Sequence, residues 1–122
     1  MKSVKLAYFL LFFSLIAVIS NSIVLNKLIT DTLNSTKNIL DKEDEKLYLE
    51  YEEIYESFKS KEAYISLTVN HEDLTDVESS FAEIIGAAKA GDLESIITIK
   101  SRLIDSLDHL RRLSGITLDS IL

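Results

Sequence analysis

The feature that most constrains this chain is a stretch without any charged residue, Leu6–Asn26, in which 16 of 21 residues are apolar. As a helix it would span about 31 Å at ~1.5 Å per residue, close to the ~30 Å hydrocarbon core of a bilayer. Lys2 and Lys5 precede it, whereas Lys27 and then Asp31 follow it. Because positive flanks stay cytoplasmic, the stretch predicts a single-pass segment in the cell membrane with the following residues outside the cytoplasm.

A cleavable signal peptide is the alternative interpretation of the same stretch. Val18 and Ser20 are small enough for a cut before Asn21. Against cleavage, no Ala-x-Ala site stands at this position, and the helical pattern continues without Gly or Pro. We therefore predict an uncleaved signal anchor over residues 1–27 and an extracytoplasmic domain over residues 28–122. Cleavage would secrete that domain instead.

The charge distribution divides the chain at the same place. Residues 1–27 carry +3 and the whole chain carries −7, so residues 28–122 carry −10. A surface of that sign repels phosphate backbones, which excludes a nucleic-acid-binding protein. The absence of Cys excludes disulfides and thiolate metal sites.

The chain has only three Gly and no Pro, so few of its residues favour turns, and the sequence favours an all-α fold. The first helix is expected to leave the membrane without stopping and to end near Asp41. Its apolar face is read from residues at helical spacing: Leu25, Leu28, Ile29, Thr32, Thr36, Ile39 and Leu40. A second apolar stripe at helical spacing follows the charged stretch that begins at Asp41. Glu62 interrupts this stripe, and the helix that carries it either breaks near Asn70 or continues beyond it. Its members are Leu47, Tyr51, Ile54, Phe58, Ile65 and Val69.

Two further helices are predicted from capping signals. Thr75 and Glu78 fit a capping box, and Gly91 followed by Asp92 fits a turn between helices. The last helix would run from Leu93 and stop at Gly115, and an apolar tail, Ile116–Leu122, would fold back. The expected fold is an N-terminal transmembrane helix that continues into a small antiparallel helical bundle. Its predicted core contains Phe58, Phe81, Ile84, Leu103 and Leu107.

The residues that carry chemistry form no catalytic motif. His71-Glu72 begins a zinc-type pattern, but Thr75 occupies the position of the second histidine. No Glu stands three residues before either histidine, which excludes a di-iron bundle. The acidic run from Asp41 to Glu56 lacks the pattern of a calcium loop. We therefore predict no catalytic residue, no metal ligand, no cofactor and no enzyme activity.

The histidines, the tyrosines and two cations have structural or partner-binding interpretations. His71 is expected at a helix interface, and His109 on a solvated face. Lys100 and Arg111 fall on the apolar side of the last helix, where their stems can be buried or their charges can pair with the acids of the second segment. A line of tyrosines, Tyr48, Tyr51 and Tyr55, fits either the edge of the core or a contact surface for a partner.

The layout of the chain resembles a family of small bacterial proteins of unknown function. The resemblance is carried by Asn70-His71-Glu72-Asp73-Leu74, by Asp76-Val77-Glu78 and by the closing Leu118-Asp119-Ser120-Ile121-Leu122. It implies one N-terminal anchor, an acidic helical ectodomain and a multi-pass membrane protein as partner, with no assigned activity. This chain departs from the pattern because it has no Trp, which similar proteins often place in the second helix.

These observations predict a non-catalytic interaction module held at the outer face of the membrane. Its partner would be another membrane protein or a second copy of the chain. The alternative is an extracytoplasmic sensor that binds a small molecule between its helices and signals through a partner.

Overall fold

The computed structural model describes residues 2–42, 44–67 and 69–121, with side chains as far as residue 113. Every regular element in these ranges is an α-helix, and no strand occurs among them. The helices are α1 (Lys2–Asn38), α2 (Leu47–Ser60), α3 (Glu62–Ser66), α4 (His71–Ala90) and α5 (Leu93–Ile121). The predicted all-helical class is therefore confirmed.

Helix α1 is 37 residues long, and its two halves have different surroundings. Its second half packs against α5 and α2. The buried side chains recur every three or four residues, and they are Ser22, Leu25, Ile29, Leu33 and Thr36. The predicted apolar face is wrong at Leu40, which is 68% exposed. The reason is that α1 ends at Asn38, a few residues before Asp41, so Leu40 lies beyond the helix and outside its stripe.

The core is assembled from one face of each helix. The five residues predicted to lie in it, Phe58, Phe81, Ile84, Leu103 and Leu107, are each at most 1% exposed, which confirms the prediction. The ring of Phe81 lies against two aromatic rings of α2, with centroids 5.1 Å from Tyr55 and 5.8 Å from Phe58. Helix α4 therefore packs between α2 and α5, with which it shares the core.

The second predicted segment consists of two helices, with a break where Glu62 interrupts the stripe. Helix α2 ends at Ser60, and α3 begins at Glu62. The capping box predicted at Thr75 is wrong, because α4 already begins at His71. Asn70 is its N-cap, in extended backbone (φ −62°, ψ 137°), and its side chain accepts a hydrogen bond from the Glu72 N–H at 3.0 Å. An Asn cap followed by acidic residues in the first turn is a complete helix start.

The predicted turn between α4 and α5 is confirmed. Gly91 adopts the left-handed conformation (φ 70°, ψ 22°), which a side chain would strain, and closes α4. Asp92 caps α5 by accepting hydrogen bonds from the Ser95 N–H at 3.2 Å and from the Ser95 hydroxyl at 2.6 Å. These bonds favour the charged form and lower the pKa of the Asp92 carboxyl.

The predicted stop at Gly115 is wrong, because α5 continues through it to Ile121. A single Gly inside a helix costs only about 1 kcal/mol relative to Ala, and no Pro follows it to end the helix. The predicted fold-back of the tail, Ile116–Leu122, is wrong for the backbone up to Ile121. Leu122 and the side chains of the tail lie outside the described residues.

The packing of Phe81 generates a first prediction. Replacing Phe81 with Ala removes a fully buried ring that contacts two other rings, and we expect it to lower the free energy of unfolding by roughly 3–5 kcal/mol. The matched control is Leu40→Ala on an exposed side chain, which should change it by less than about 0.5 kcal/mol. Denaturant unfolding of the full chain in detergent, followed by circular dichroism, measures both. Equal losses in the two variants would contradict the described core.

Candidate functional site

The N-terminal half of α1 is an apolar surface that the rest of the described chain does not cover. Helix α1 is the one described helix that is long and apolar enough to cross a membrane. A core helix of a soluble protein satisfies the same criterion but is covered by its neighbours, whereas only 11% of the most apolar window of α1 is buried. The exposed large apolar residues before position 20 are Val4, Leu6, Tyr8, Phe9, Leu10, Leu11, Phe12, Phe13, Leu15, Ile16 and Val18.

Helix α1 changes from an all-round apolar surface to a two-faced helix between Asn21 and Leu25. On one face, Ser22 and Leu25 are buried against the bundle. On the other face, Ile23 and Val24 are 56% and 49% exposed. No large apolar side chain of α1 beyond Val24 is exposed, so the uncovered apolar band ends there.

Two hydrogen bonds tie this transition to the bundle. The Tyr64 hydroxyl donates to the side-chain oxygen of Asn21 and reaches its backbone carbonyl at 3.4 Å. The side-chain amide of Asn26 donates to the Arg111 carbonyl of α5 at 3.3 Å. Helices α3 and α5 are therefore attached to α1 at the point where its uncovered surface ends.

The other end of α1 is held by Lys100 of α5. This side chain, only 9% exposed, donates to the Ile39 carbonyl at 2.7 Å and to an Asp41 carboxylate oxygen at 3.0 Å. The last carbonyls of a helix have no partner within the helix, and a cation there is favourable. Pairing with an acid of the charged stretch that begins at Asp41, the alternative interpretation of Lys100, is thus the one observed. Arg111 instead pairs with Asp108 of its own helix, at 2.6 Å, and this contact lowers the pKa of the Asp108 carboxyl.

The three tyrosines proposed as a contact surface lie in different environments. Tyr51 is fully buried, so its ring is part of the core and is not available to a partner. Its hydroxyl has no hydrogen-bond partner in the described part of the chain, and desolvation followed by the negative charges of Asp41 and Glu50 raises its pKa. Tyr48 and Tyr55 are half-buried at the edge of the core, where they keep one exposed side.

Cations accompany both half-buried rings. The Lys89 ammonium lies 5.5 Å from the centroid of Tyr48 and 3.2 Å from a carboxylate oxygen of Glu52. The Lys59 ammonium lies 5.9 Å from the centroid of Tyr55. A cation over a ring is attracted by its quadrupole, so α2 presents an aromatic and charged strip rather than a plain apolar one.

Neither histidine is buried between helices. His71 is exposed as the first residue of α4, so its predicted place at a helix interface is wrong. The prediction extended the second stripe through Asn70, where the chain instead leaves one helix and begins another. His109 lies 3.3 Å from a carboxylate oxygen of Asp73 and links α5 to α4, although 58% of its side chain is exposed.

One pair of carboxyl groups shares a hydrogen bond. Glu62, at the start of α3, and Glu78 of α4 are both half-buried, and the hydrogen bond between them raises the pKa of the Glu78 carboxyl, with burial and the charge of Glu62 adding to it. The described residues contain no group of three His, Cys, Asp or Glu side chains that could bind a metal ion, so this pair does not belong to such a group.

A cleft lies at the end of the bundle opposite Tyr64. It has a volume of about 490 Å³ and is formed by the connection before α2 and the turn between α4 and α5. Its floor contains Leu47 and Ile96, and its rim carries Lys42, Asp44 and Lys89. Charges of both signs around an apolar floor leave the class of any ligand unspecified.

No family model, no curated protein and no solved structure matches this chain. The resemblance to small bacterial anchored proteins therefore stays a prediction.

The burial of Lys100 generates the second prediction. Lys100→Met keeps most of the buried stem but removes the ammonium that bonds Ile39 and Asp41, and we expect it to lower the free energy of unfolding by about 1.5–3 kcal/mol. Lys42→Met, an exposed lysine near the same connection, is the control and should change it by less than about 0.5 kcal/mol. Denaturant unfolding of the full chain in detergent measures both. If both variants unfold at the denaturant concentration of the wild type, the ammonium does not hold the end of α1.

Proposed function

We propose that this chain is a non-catalytic interaction module, anchored in the cell membrane by the N-terminal half of α1 and carrying its bundle outside the cytoplasm. The observation that carries the proposal is the dual character of α1. Its first half is apolar and uncovered, whereas its second half is part of the bundle core. A helix with these two surroundings needs an apolar solvent at one end only.

The orientation is supported by the lysines that flank the apolar segment. Lys2 and Lys5 precede it, and only Lys27 stands close after it. An excess of lysine keeps the N-terminal side in the cytoplasm. Residues 28–122 carry an acidic excess, and acidic residues contribute little to membrane orientation. The lysines therefore decide the orientation, and residues 28–122 form the exported domain in this proposal.

The bundle is proposed to be antiparallel. Along α2 and α3 the contacts to α1 run backwards in sequence, from a cleft shared by Ser57 and Thr32 to the bond between Tyr64 and Asn21. Along α5 they also run backwards, from Lys100 with Ile39 to Arg111 with Asn26. Since α4 pairs Glu83 with Arg102 and Asp73 with His109, it too opposes α5.

The partner is proposed to be another membrane protein or a second copy of this chain, without a bound cofactor. The strip of Tyr48 and Tyr55 is the candidate contact surface, because each ring has an exposed side and an adjacent cation. Tyrosine supplies a large contact area at a small cost in conformational entropy, which suits it to interfaces. Tyr51 serves this surface indirectly, by fixing α2 on the core.

A sensor that binds a small molecule is the second candidate, and the cleft between the connection before α2 and the α4–α5 turn favours it. Its volume of about 490 Å³ lies within the usual range of ligand sites. The cleft is polar and open, however, and no buried polar side chain points to a ligand class. A compound that raises the melting temperature of the wild-type chain, but not of Ala90→Trp, a change at an exposed residue that lines the cleft, would favour this candidate.

The membrane anchor generates the third prediction. The full chain should remain in the membrane pellet after alkaline extraction, because its apolar segment is inserted rather than adsorbed. In cells without an outer barrier, external protease should cut the exported domain. The control replaces Phe9 and Phe13 with Asp, since two charges in the segment cost several kcal/mol on insertion. A wild-type chain that is extracted by alkali, or that resists protease until the cells are opened, contradicts the proposed topology.

The contact surface generates the fourth prediction. Azidophenylalanine, which is close to tyrosine in size, is placed at Tyr48 or Tyr55 in intact membranes and activated by light. We expect a cross-linked adduct from at least one position, to a second copy of the chain or to a larger membrane protein. Ser101, exposed on α5, is the control position and should give none. Absence of adducts from both tyrosine positions, or equal yield from Ser101, contradicts this surface.

A further inference from the structure

We propose that the corner between α3 and α4, which includes Leu67, lies in the headgroup region of the outer leaflet of the bilayer. This proposal rests on the membrane anchor described above. It goes further because it assigns a lipid-contacting surface to the bundle itself.

The first step is the length of the apolar segment. Leu6–Ser20, the uncharged part that precedes the bond between Asn21 and Tyr64, has 15 residues, and it rises only about 22 Å at ~1.5 Å per residue. The hydrocarbon core is about 30 Å thick. Adding the exposed apolar pair Ile23 and Val24 extends the span to about 28 Å. The span is therefore filled only if the bilayer reaches the level at which α1 already contacts the bundle.

The second step is the position of α3 at that level. The Tyr64 hydroxyl bonds Asn21, which precedes Ile23 and Val24 on α1. From Ser57 to Tyr64 the contacts on α1 move from Thr32 back to Asn21, so the chain approaches the bilayer along this direction. Leu67 is three residues further on, and α4 starts back from His71. The corner is thus the part of α2, α3 and α4 nearest to the apolar segment.

The third step is the exposure of Leu67. It is 83% exposed, the highest value among the large apolar side chains of the described residues. In water this exposed apolar surface is unfavourable. At the boundary between headgroups and acyl chains, the same side chain is removed from water, which is favourable. Tyr64 beside it has an aromatic body and a polar tip, the type of residue enriched at membrane interfaces.

The fourth step is that α1 has no flexible joint. The helix is unbroken from Lys2 to Asn38, and it contains neither Gly nor Pro. The bundle cannot be lifted away from the bilayer by a linker, so the corner stays at the surface. The acidic excess of the exported part makes a zwitterionic lipid surface the fitting partner, since anionic headgroups would repel it.

The chain has no Trp, so a single introduced Trp reports its own surroundings. Leu67→Trp, Leu40→Trp and Phe12→Trp are each reconstituted as full chains in phosphatidylcholine vesicles that contain lipid brominated either near the headgroup or near the chain end. Leu40 is the matched control, because it is an exposed Leu at the opposite end of α1. Phe12→Trp reports whether the anchor is inserted.

We expect Trp fluorescence at position 67 to be shifted to shorter wavelength and quenched by the shallow bromines, while position 40 is neither shifted nor quenched. Position 12 should be quenched by the deep bromines. If position 12 is quenched but position 67 behaves like position 40, the lipid contact of the corner is wrong and the anchor stands. If positions 67 and 40 are both quenched, the bundle lies flat on the bilayer and the proposal is also wrong. If position 12 is not quenched, the anchor itself fails, and this proposal fails with it.

Discussion

The rest of this structure depends on one constraint: a single unbroken helix must satisfy two different surroundings. Up to Val18, α1 exposes apolar side chains all round, a surface that favours an apolar solvent. From Leu25 onward, the same helix buries one face against α5 and α2 and exposes the others. The change happens within about two helical turns and without a break in the backbone. The position and the tilt of the bundle relative to the apolar segment are therefore fixed by the geometry of one helix.

Polar contacts hold α1 at both ends of its packed half, and they differ in kind. Near the apolar segment, Asn21 and Asn26 bond Tyr64 and the Arg111 carbonyl, contacts between neutral groups that tolerate a lipid boundary. At the far end, Lys100 places a charge on the last turn of the helix and on Asp41. A charge of this kind would be costly beside lipid and is stabilising where the helix ends near water. The two contacts thus follow the polarity that the surroundings of α1 impose.

Much of the helical core could be predicted from the sequence because it follows from local periodicity. Phe81, Leu103 and their neighbours repeat at helical spacing, and burial of such a face does not depend on which helix covers it. The errors arise where two local signals compete. Thr75 offered a capping box, but Asn70 caps the helix earlier, and Gly115 offered a stop that the helix passes through. Along the candidate contact strip, spacing alone could not separate Tyr51 from Tyr48 and Tyr55. One helix face includes both the centre and the edge of the core, and the packing of the neighbouring helices decides which ring is covered. The partner of Lys100 was equally beyond a local pattern, since Asp41 lies 59 residues away in the chain.

The absence of a linker also limits what the bundle can reach. Beyond Val24, α1 extends 14 residues to Asn38, which places the far end of the bundle only about 21 Å from the end of the apolar band. Tyr48 lies near that far end, because its ring faces Lys89 at the close of α4, and Tyr55 lies nearer the apolar segment of α1, beside Phe81. In the proposed topology, a partner that contacts both rings would need a surface that stands upright on the membrane over that height. In the proposed topology, a protein diffusing freely in the external medium would have to meet a strip that lies beside the lipid at its lower end, whereas a neighbour in the same membrane would share its orientation in advance. Shared orientation reduces the rotational freedom lost on association, so the proposed lateral partner would need a smaller contact area than a soluble one.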